Sequence, residues 1–193
     1  MNNNISIEVI GADRITECKD LCNKLMAYQK SKAVLYPENF NSMNFDSRMK
    51  ASYKNALRSH LVMVKDGAIP IGYIFTTVDE VTEENSQSIP DWAPRIEGME
   101  NFYPKFFNKP QLVGCLNNLY IEKEYRGLGL GDKLYKMSMD WLSKMDDVKV
   151  ISVFISNGNQ AAYDFYIHEG FKYSHDVFGG FIKAAFRDNK KSI

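Results

Sequence analysis

The chain has 193 residues, a length typical of one domain that can bury a core without metals or disulfides. Lys plus Arg equal Asp plus Glu at 24 each, so the overall charge does not favour a protein that coats nucleic acid or an anionic membrane. The start, MNNNISIEVI, lacks the features of a signal peptide, and no stretch approaches the roughly 18 apolar residues of a membrane span. These features predict a soluble, cytoplasmic protein with a single domain over residues 1–193.

The chain has three cysteines, Cys18, Cys22 and Cys115. Cys18 and Cys22 lie one helical turn apart and could supply half of a metal site, but no His or further Cys completes it nearby. An odd number without a paired motif is also unlike a disulfide framework. We therefore predict reduced, buried thiols and no metal.

The first part of the chain predicts a strand, two helices and a hairpin. The strand is Ile5 to Ile10, and apolar residues recur at helical spacing from Ile15, with Asp13 as a cap. A weaker helical pattern covers about 46–57. The apolar runs HLVMV and IPIGYIF then flank residues 65–67, a strong hairpin signal.

Residues 79–101 break this pattern and are strongly acidic. They contain seven acidic residues and one basic residue, Arg95, which gives six net negative charges. The acidic residues are Asp79, Glu80, Glu83, Glu84, Asp91, Glu97 and Glu100. We predict a loop or insertion over about 79–111, with its end packed on the body of the protein by the aromatic run FYPKFF at 102–107.

The second part of the chain alternates strand and helix patterns. In order, these are a strand at 112–121, a helix at 130–145, a strand at 148–155, a short helix within NGNQAAYDFYIHEGF, and a final hairpin at 171–178 and 181–186. Together with the first part, this order predicts a mixed α/β sheet.

The stretch YRGLGLGDKLY, residues 125–135, places three glycines at alternate positions directly before a helix. A helix N-terminus carries unpaired N–H groups and a partial positive charge, and glycines let an anion approach them closely. Arg126 adds a permanent cation with several donors. The expected ligand is a pyrophosphate or a similar dianion.

Other phosphate loops fit this stretch poorly. A P-loop needs Lys and Ser or Thr after its last glycine, but Asp132 follows Gly131. A Rossmann loop needs G-x-G-x-x-G and an acid near the end of the next strand, where this chain has Ser156. A tight strand-to-helix turn without a ligand is the simpler alternative.

Two motifs together make the chain resemble the GNAT family of N-acetyltransferases. The family signature [RQ]-x-x-G-x-[GA] is met by Arg126, Gly129 and Gly131. The second signature, N-x-x-A-x-x-[LF]-Y-x-x-x-G-F, is met by Asn159, Ala162, Phe165, Tyr166, Gly170 and Phe171. The resemblance covers residues 112–186, and the first hundred residues only by the order of their elements.

The resemblance implies an α/β (α+β) fold: a mixed, mostly antiparallel central sheet with helices on both faces and splayed central strands that form a CoA cleft. It implies acetyl-CoA as co-substrate, with the pyrophosphate on the N–H groups of about residues 128–132 and the pantetheine arm along the strand near 119–121. The implied cofactor-binding residues are Leu119, Tyr120, Ile121, Arg126, Gly127, Leu128, Gly129, Leu130, Gly131, Asp132 and Asn159.

The resemblance also implies transfer of an acetyl group to a primary amine by direct attack in a ternary complex. Tyr166 would lie beside the sulfur as general acid. No general base is assigned: Glu122 and Glu124 fit a solvated strand end equally well, and no motif supports His60, His168 or His175. The acceptor would be a small-molecule or peptide amine, with no nucleic acid or membrane as partner, and a homodimer is left open.

Three alternatives stay open at this point. A CoA-binding sensor would keep the phosphate site without turnover. An enzyme for a longer acyl-CoA would use the aromatic run at 102–107 to line a deeper pocket. The acidic segment would attract a cationic amine if it lies near the acceptor pocket, but an acidic loop is equally well explained by solvation.

Overall fold

The computed structural model describes residues 4–189. Seven strands in this part of the chain form one sheet in the order β1-β2-β3-β4-β5-β7-β6. The strands are β1 (Ile5–Ile10), β2 (Arg58–Asp66), β3 (Ile69–Val81), β4 (Gln111–Ile121), β5 (Val148–Ser156), β6 (Lys172–Val177) and β7 (Ile182–Asp188). Neighbouring strands are antiparallel except for β4 and β5, which are parallel. The predicted mixed, mostly antiparallel sheet is therefore confirmed.

Four α-helices accompany the sheet within the described residues. They are α1 (Lys19–Lys32), α2 (Ala51–Asn55), α3 (Leu130–Ser143) and α4 (Gln160–His168). A 3₁₀ segment, Ala12–Cys18, leads into α1, and Gly11 stands at its start without a side-chain cap, so the expected cap by Asp13 is wrong. A π-helical segment, Phe45–Lys50, leads into α2, and the Asn44 side chain accepts hydrogen bonds from two backbone N–H groups at its start.

The helices cover both faces of the sheet, as predicted. On one face, α1 buries Leu21, Leu25 and Met26 in a core that also contains residues of the π-helical segment. On the other face, α3 buries Leu134 and Leu142, and α4 packs beside it. Each such apolar side chain contributes about 1.5–3 kcal/mol when fully buried, so each helix is held mainly by its apolar side.

The two central strands separate halfway along their length. Strand β4 pairs with β5 only from Leu112 to Leu116, although β4 continues to Ile121. At the same point the register between β4 and β3 shifts, so no residue of β3 lies opposite Asn117. A bulge of this kind bends its strand. The predicted splay of the central strands is confirmed, and it opens a gap between β4 and β5.

The segment between β3 and β4 covers residues 82–110, because Asp79 and Glu80 remain in the β3 ladder opposite β4. The predicted start at 79 is therefore three residues early. The segment contains a 3₁₀ turn at Asn85–Gln87 and is anchored by aromatic rings. The contacts join Trp92 to Phe178 and Phe181, Phe102 to Phe154, and Phe107 to Phe186. The predicted aromatic anchoring is confirmed, although Phe106 is 83% exposed.

All three cysteines are buried and free, as predicted. Burial raises the pKa of Cys18 and of Cys115 to about 12, so neither thiol ionises at neutral pH. Within residues 4–189 no group of three or more His, Cys, Asp or Glu could hold a metal ion. No helix in this part of the chain is long and apolar enough to cross a membrane.

Candidate active site

The glycine loop, residues 126–132, turns the chain from β4 into α3. Gly127 and Gly129 have φ angles of 80° and 73°, in the left-handed region that only glycine adopts without strain. Gly129 stands at the N-terminus of α3 and provides no side-chain cap. The glycines are therefore required by the turn itself.

The same loop exposes a row of unpaired amides. Within residues 4–189, no protein acceptor receives the backbone N–H groups of residues 127–132, and the first helical bond is Lys133 N–H to the Gly129 carbonyl at 3.0 Å. A Cβ added at Gly127, Gly129 or Gly131 would meet nothing within 4 Å. Open space therefore surrounds these amides, where the helix dipole favours an anion.

Arg126 is held at the edge of this loop. Its Nε donates to the Ile121 carbonyl at 2.9 Å, and its guanidinium lies 5.4 Å from the ring centre of Tyr28 and 5.7 Å from that of Tyr120. Neither terminal nitrogen has a protein acceptor in the described part of the chain. A fixed cation with free donors thus stands beside the unpaired amides.

A first cavity of about 450 Å³ lies between the glycine loop, the end of β4, α1 and α4. The predicted cofactor-binding residues that line it are Leu119, Tyr120, Ile121, Arg126, Gly127, Gly129, Leu130, Gly131, Asp132 and Asn159. Leu128 does not line it and is 58% exposed, but its backbone N–H belongs to the unpaired row. Leu25 and Tyr28 of α1, which carried no motif, also line this cavity.

Tyr166 lines a separate small space of about 50 Å³ between β4 and β5, which we call the gap. Leu119 and Asn159 line both the first cavity and the gap, so the two spaces adjoin. Tyr166 is only 7% exposed, and its hydroxyl has no hydrogen-bond partner within residues 4–189. Burial raises its pKa well above the usual value for tyrosine, so it stays protonated and can donate.

Asn159 and Ser156 supply further polar groups in the gap. The side-chain oxygen of Asn159 accepts a weak hydrogen bond of 3.4 Å from Ala162 N–H and so caps α4, which leaves its amide nitrogen free to donate. The Ser156 hydroxyl is buried without a partner among the described residues. Ser156 entered the sequence argument only as a departure from the Rossmann pattern, so its place in the gap was missed.

A second cavity of about 380 Å³ adjoins the other side of the gap. It is lined by α2 with the segment before it, by β3 and β4, and by the 82–110 segment. Leu116, Asn117 and Phe154 line both this cavity and the gap. The first cavity, the gap and the second cavity therefore form a continuous series.

The second cavity contains unpaired charges. The Asp79 carboxylate accepts from Thr77 Oγ1 at 2.7 Å, and Thr77 in turn accepts from the Asn117 amide at 2.8 Å. Asp79 pairs with no cation within residues 4–189, and burial raises its pKa. Arg48 also lines this cavity. No sequence motif indicated Arg48 or Asn117.

Only Asp79 and Glu80 of the acidic segment reach the second cavity. Asp91 pairs with Arg95 of the same segment at 3.4 Å. Glu83 pairs with Lys109 at 3.5 Å. Most of the predicted negative charge is therefore not presented to this space.

The base candidates considered from the sequence lie elsewhere. Glu122 accepts from the Tyr120 hydroxyl at 3.2 Å and pairs with Lys24, which gives it a structural role. None of the three histidines lines either cavity or the gap. His60, for example, stacks on Trp141 with ring centres 5.0 Å apart.

Comparisons with known proteins agree with the fold. The sequence matches the model of the Acetyltransferase (GNAT) family over residues 28–171, whereas no curated protein matches significantly. A PaiA N-acetyltransferase from Thermoplasma acidophilum, in complex with coenzyme A, is similar in fold, with 14% identity, a TM-score of 0.60, and coverage of 95% of this chain and 99% of that one. A GNAT-family acetyltransferase from Staphylococcus aureus Mu50 gives 15% identity, a TM-score of 0.59, and coverage of 96% and 99%. Arabidopsis thaliana Naa50, in complex with the bisubstrate analogue CoA-Ac-MVNAL, gives 16% identity, a TM-score of 0.56, and coverage of 95% of this chain and 97% of that one.

Proposed function

Because the chain belongs to the GNAT family of acetyltransferases and is an acyltransferase, we propose that it transfers the acetyl group of acetyl-CoA to a primary amine by direct attack in a ternary complex. The observation that carries this proposal is the continuous series of first cavity, gap and second cavity. It provides one space for an anionic cofactor, one for the reacting atoms and one for the acceptor.

The residues of the first cavity fit coenzyme A. The amides of 127–132 and the free nitrogens of Arg126 would hold the pyrophosphate. Beyond Leu116, β4 has no strand partner on its β5 side among residues 4–189, so residues 119–121 offer an unpaired strand edge to the pantetheine arm. The free amide of Asn159 would donate to the same arm. A fold neighbour in complex with coenzyme A supports coenzyme A as the ligand.

When bound, acetyl-CoA supplies the thioester carbonyl as electrophile and the thiolate as leaving group. The phenol of Tyr166 would donate a proton to the sulfur. Transfer from a phenol of pKa about 10 to a relaxed thiolate of pKa about 8.5 is uphill by roughly 2 kcal/mol, and burial of Tyr166 increases this difference. Tyr166 therefore helps by hydrogen bonding to the sulfur while the C–S bond breaks.

The attacking amine must be neutral. At pH 7 a lysine-like amine with a pKa of about 10.4 must lose a proton at a cost of about 4.6 kcal/mol. Asp79 is an unpaired carboxylate in the second cavity and is connected through Thr77 to Asn117, which borders the gap. We propose Asp79 as the group that receives the ammonium and relays its proton towards solvent.

A covalent acetyl-enzyme is not part of this proposal. Cys115 lines the second cavity, but burial raises its pKa to about 12 and keeps it a neutral thiol. The small volume of the gap, about 50 Å³, also favours an acetyl group over a longer acyl chain.

The test is release of free CoA thiol from acetyl-CoA with a panel of primary amines. We expect thiol release that depends on the amine and an acetylated product of matching mass. If coenzyme A binds but no amine causes thiol release, the protein acts as a CoA-binding sensor. A cytoplasmic location, the absence of nucleic-acid partners and a homodimer stay predictions.

A further inference from the structure

Among the residues that the structure describes, the guanidinium of Arg48 has no hydrogen-bond acceptor and no ion-pair partner. Arg48 lies on the π-helical segment Phe45–Lys50, and its guanidinium carbon is 4.3 Å from the ring centre of Trp92. Its Nε is fully buried and makes no hydrogen bond to the described part of the chain. Neither terminal nitrogen has a protein acceptor within residues 4–189. Arg48 is partly exposed, and only its Nε is fully buried, so its terminal nitrogens reach the open space of the second cavity and can bind an anion there.

The surroundings of Arg48 do not neutralise it. Burial lowers the pKa of Arg48, yet a guanidinium keeps its proton in proteins. The ring of Trp92 holds the group by a cation–π contact, which supplies no hydrogen-bond acceptor. The free donors of Arg48 therefore belong to the lining of the second cavity.

We propose that the acceptor is a primary amine that also carries an oxyanion, a carboxylate in the first instance, and that Arg48 binds this oxyanion. This inference rests on the acetyl transfer proposed above and specifies the substrate class of the same site. A guanidinium presents parallel donors that match a carboxylate or a phosphonate, and such charge-assisted bonds are among the strongest available.

The placement of opposite charges in the second cavity supports a zwitterionic ligand. Arg48 and Asp79 both line this cavity, but they form no salt bridge with each other in the described part of the chain. Asp79 is linked through Thr77 to Asn117, which borders the gap. The ammonium end would therefore lie at Asp79, near the reacting atoms, and the oxyanion at Arg48.

The walls of the second cavity indicate a small molecule. Its volume of about 380 Å³ lies in the range of small-ligand pockets. Pro90, Trp92 and Phe102 of the 82–110 segment line it, together with Phe154 of β5, so the body of the ligand meets apolar and aromatic groups. The acceptor predicted here differs from the purely cationic amine suggested by the acidic composition of residues 79–101.

The first experiment measures binding without chemistry. Calorimetry on the CoA-saturated protein would compare 3-phenylpropanoate, 2-phenylethylphosphonate and the uncharged 3-phenylpropan-1-ol. We expect at least one oxyanion to bind on the order of 10-fold to 100-fold more tightly than the alcohol. Arg48→Met should remove this difference, and Arg48→Lys should reduce it, because a lysine keeps the charge but not the paired donors.

The matched control is Arg58→Met. Arg58 pairs with Asp147 and does not line the second cavity, so this variant removes one arginine charge elsewhere and should leave oxyanion binding unchanged. Circular dichroism would verify that each variant is folded. If no oxyanion shows binding that depends on Arg48, the inference is wrong.

The second experiment measures turnover with matched acceptors. We expect kcat/KM for phenylalanine to exceed that for phenethylamine on the order of 10-fold or more, and Arg48→Met to abolish this preference. Turnover of both amines at equal kcat/KM would overturn the inference and leave acetyl transfer intact. If an oxyanion binds in a way that depends on Arg48 but no amine is turned over, the oxyanion site is supported and the proposed acetyl transfer is wrong.

Discussion

Tyr166 shows how burial changes the chemistry of one residue. Its ring packs against Phe165 and Phe171, with ring centres 5.2 and 5.5 Å apart, and its hydroxyl has no partner among the described residues. This hydroxyl borders the gap with a proton free to donate, so it is well placed for a role in function.

We expect Tyr166→Phe to lower kcat by about 100-fold and to leave the affinity for acetyl-CoA nearly unchanged, because a general acid acts only in the transition state. Stability should not fall, since the variant removes an unpaired hydroxyl. Stopped-flow turnover and calorimetry would measure the two quantities. Tyr163→Phe makes the same change on the same helix outside the gap and serves as control. Undiminished turnover in Tyr166→Phe would remove this residue from the mechanism.

Asp79 offers a test through pH. Burial raises its pKa above the usual 3.8, so the protonated form stabilises the fold, and this stability is lost as the pH rises through the raised pKa. Asp79→Asn should therefore unfold at a higher temperature than the parent at pH 7, with a difference that shrinks towards pH 4. The measurement is thermal unfolding at several pH values, with exposed Asp140→Asn as control. A stability loss at pH 7 would contradict this assignment.

At the scale of elements, two helices bring the candidate residues to the cleft. The N-terminus of α3 supplies the unpaired amides, and α4 carries Asn159 at its start and Tyr166 two turns later. A spacing of seven residues places both on one side of the helix, facing the gap. Each element thus serves one part of the proposed reaction.

Gly129→Val should weaken coenzyme A binding strongly while the fold survives. The added branched side chain would stand in the open space before the amides, and its left-handed φ adds about 1–2 kcal/mol of strain. Calorimetry with coenzyme A is the measurement.

Two variants serve as controls for Gly129→Val. Gly98→Val has a similar φ of 74°, equally open space and a position outside the first cavity, so it should keep coenzyme A binding. Gly131→Ala should also keep it, because the family signature allows Ala there, and should stabilise α3 by up to about 1 kcal/mol. Unaltered coenzyme A binding in Gly129→Val would contradict the placement of the pyrophosphate.

At the scale of the whole molecule, the splay of the sheet connects its two faces. The bulge at Asn117 and the end of β4–β5 pairing at Leu116 coincide, so the gap opens where the first and second cavities meet. The 82–110 segment then covers the second cavity. In the proposed reaction, spaces on opposite sides of one gap would allow two substrates to meet without displacing each other.

Acetyl-CoA at about 100 times its Kd should raise the free energy of unfolding by about 2.7 kcal/mol, or Tm by about 5–11 °C. Octanoyl-CoA should give a smaller shift, because the gap holds only about 50 Å³. Thermal unfolding with matched concentrations of each ligand tests this. A larger shift with octanoyl-CoA would favour an enzyme for longer acyl groups.

The sequence by itself determined the elements and the glycine loop. The bounds of β1 agree with the prediction, and β4 and β5 differ from it by one residue at one end. Such features are local: alternating apolar residues specify strands, and glycines before a helix specify a turn with free amides. For the same reason, ten predicted cofactor-binding residues line one cavity.

Only the tertiary structure decided which residues line the second cavity. Arg48, Asp79 and Trp92 lie on three segments distant in sequence, and no local pattern records that packing brings them around one cavity. The acidic composition of 79–101 likewise did not reveal that Asp91 pairs with Arg95. Whether a charge is neutralised depends on its neighbours in space, because Coulomb and desolvation energies follow distance and burial, which the order of residues alone does not specify.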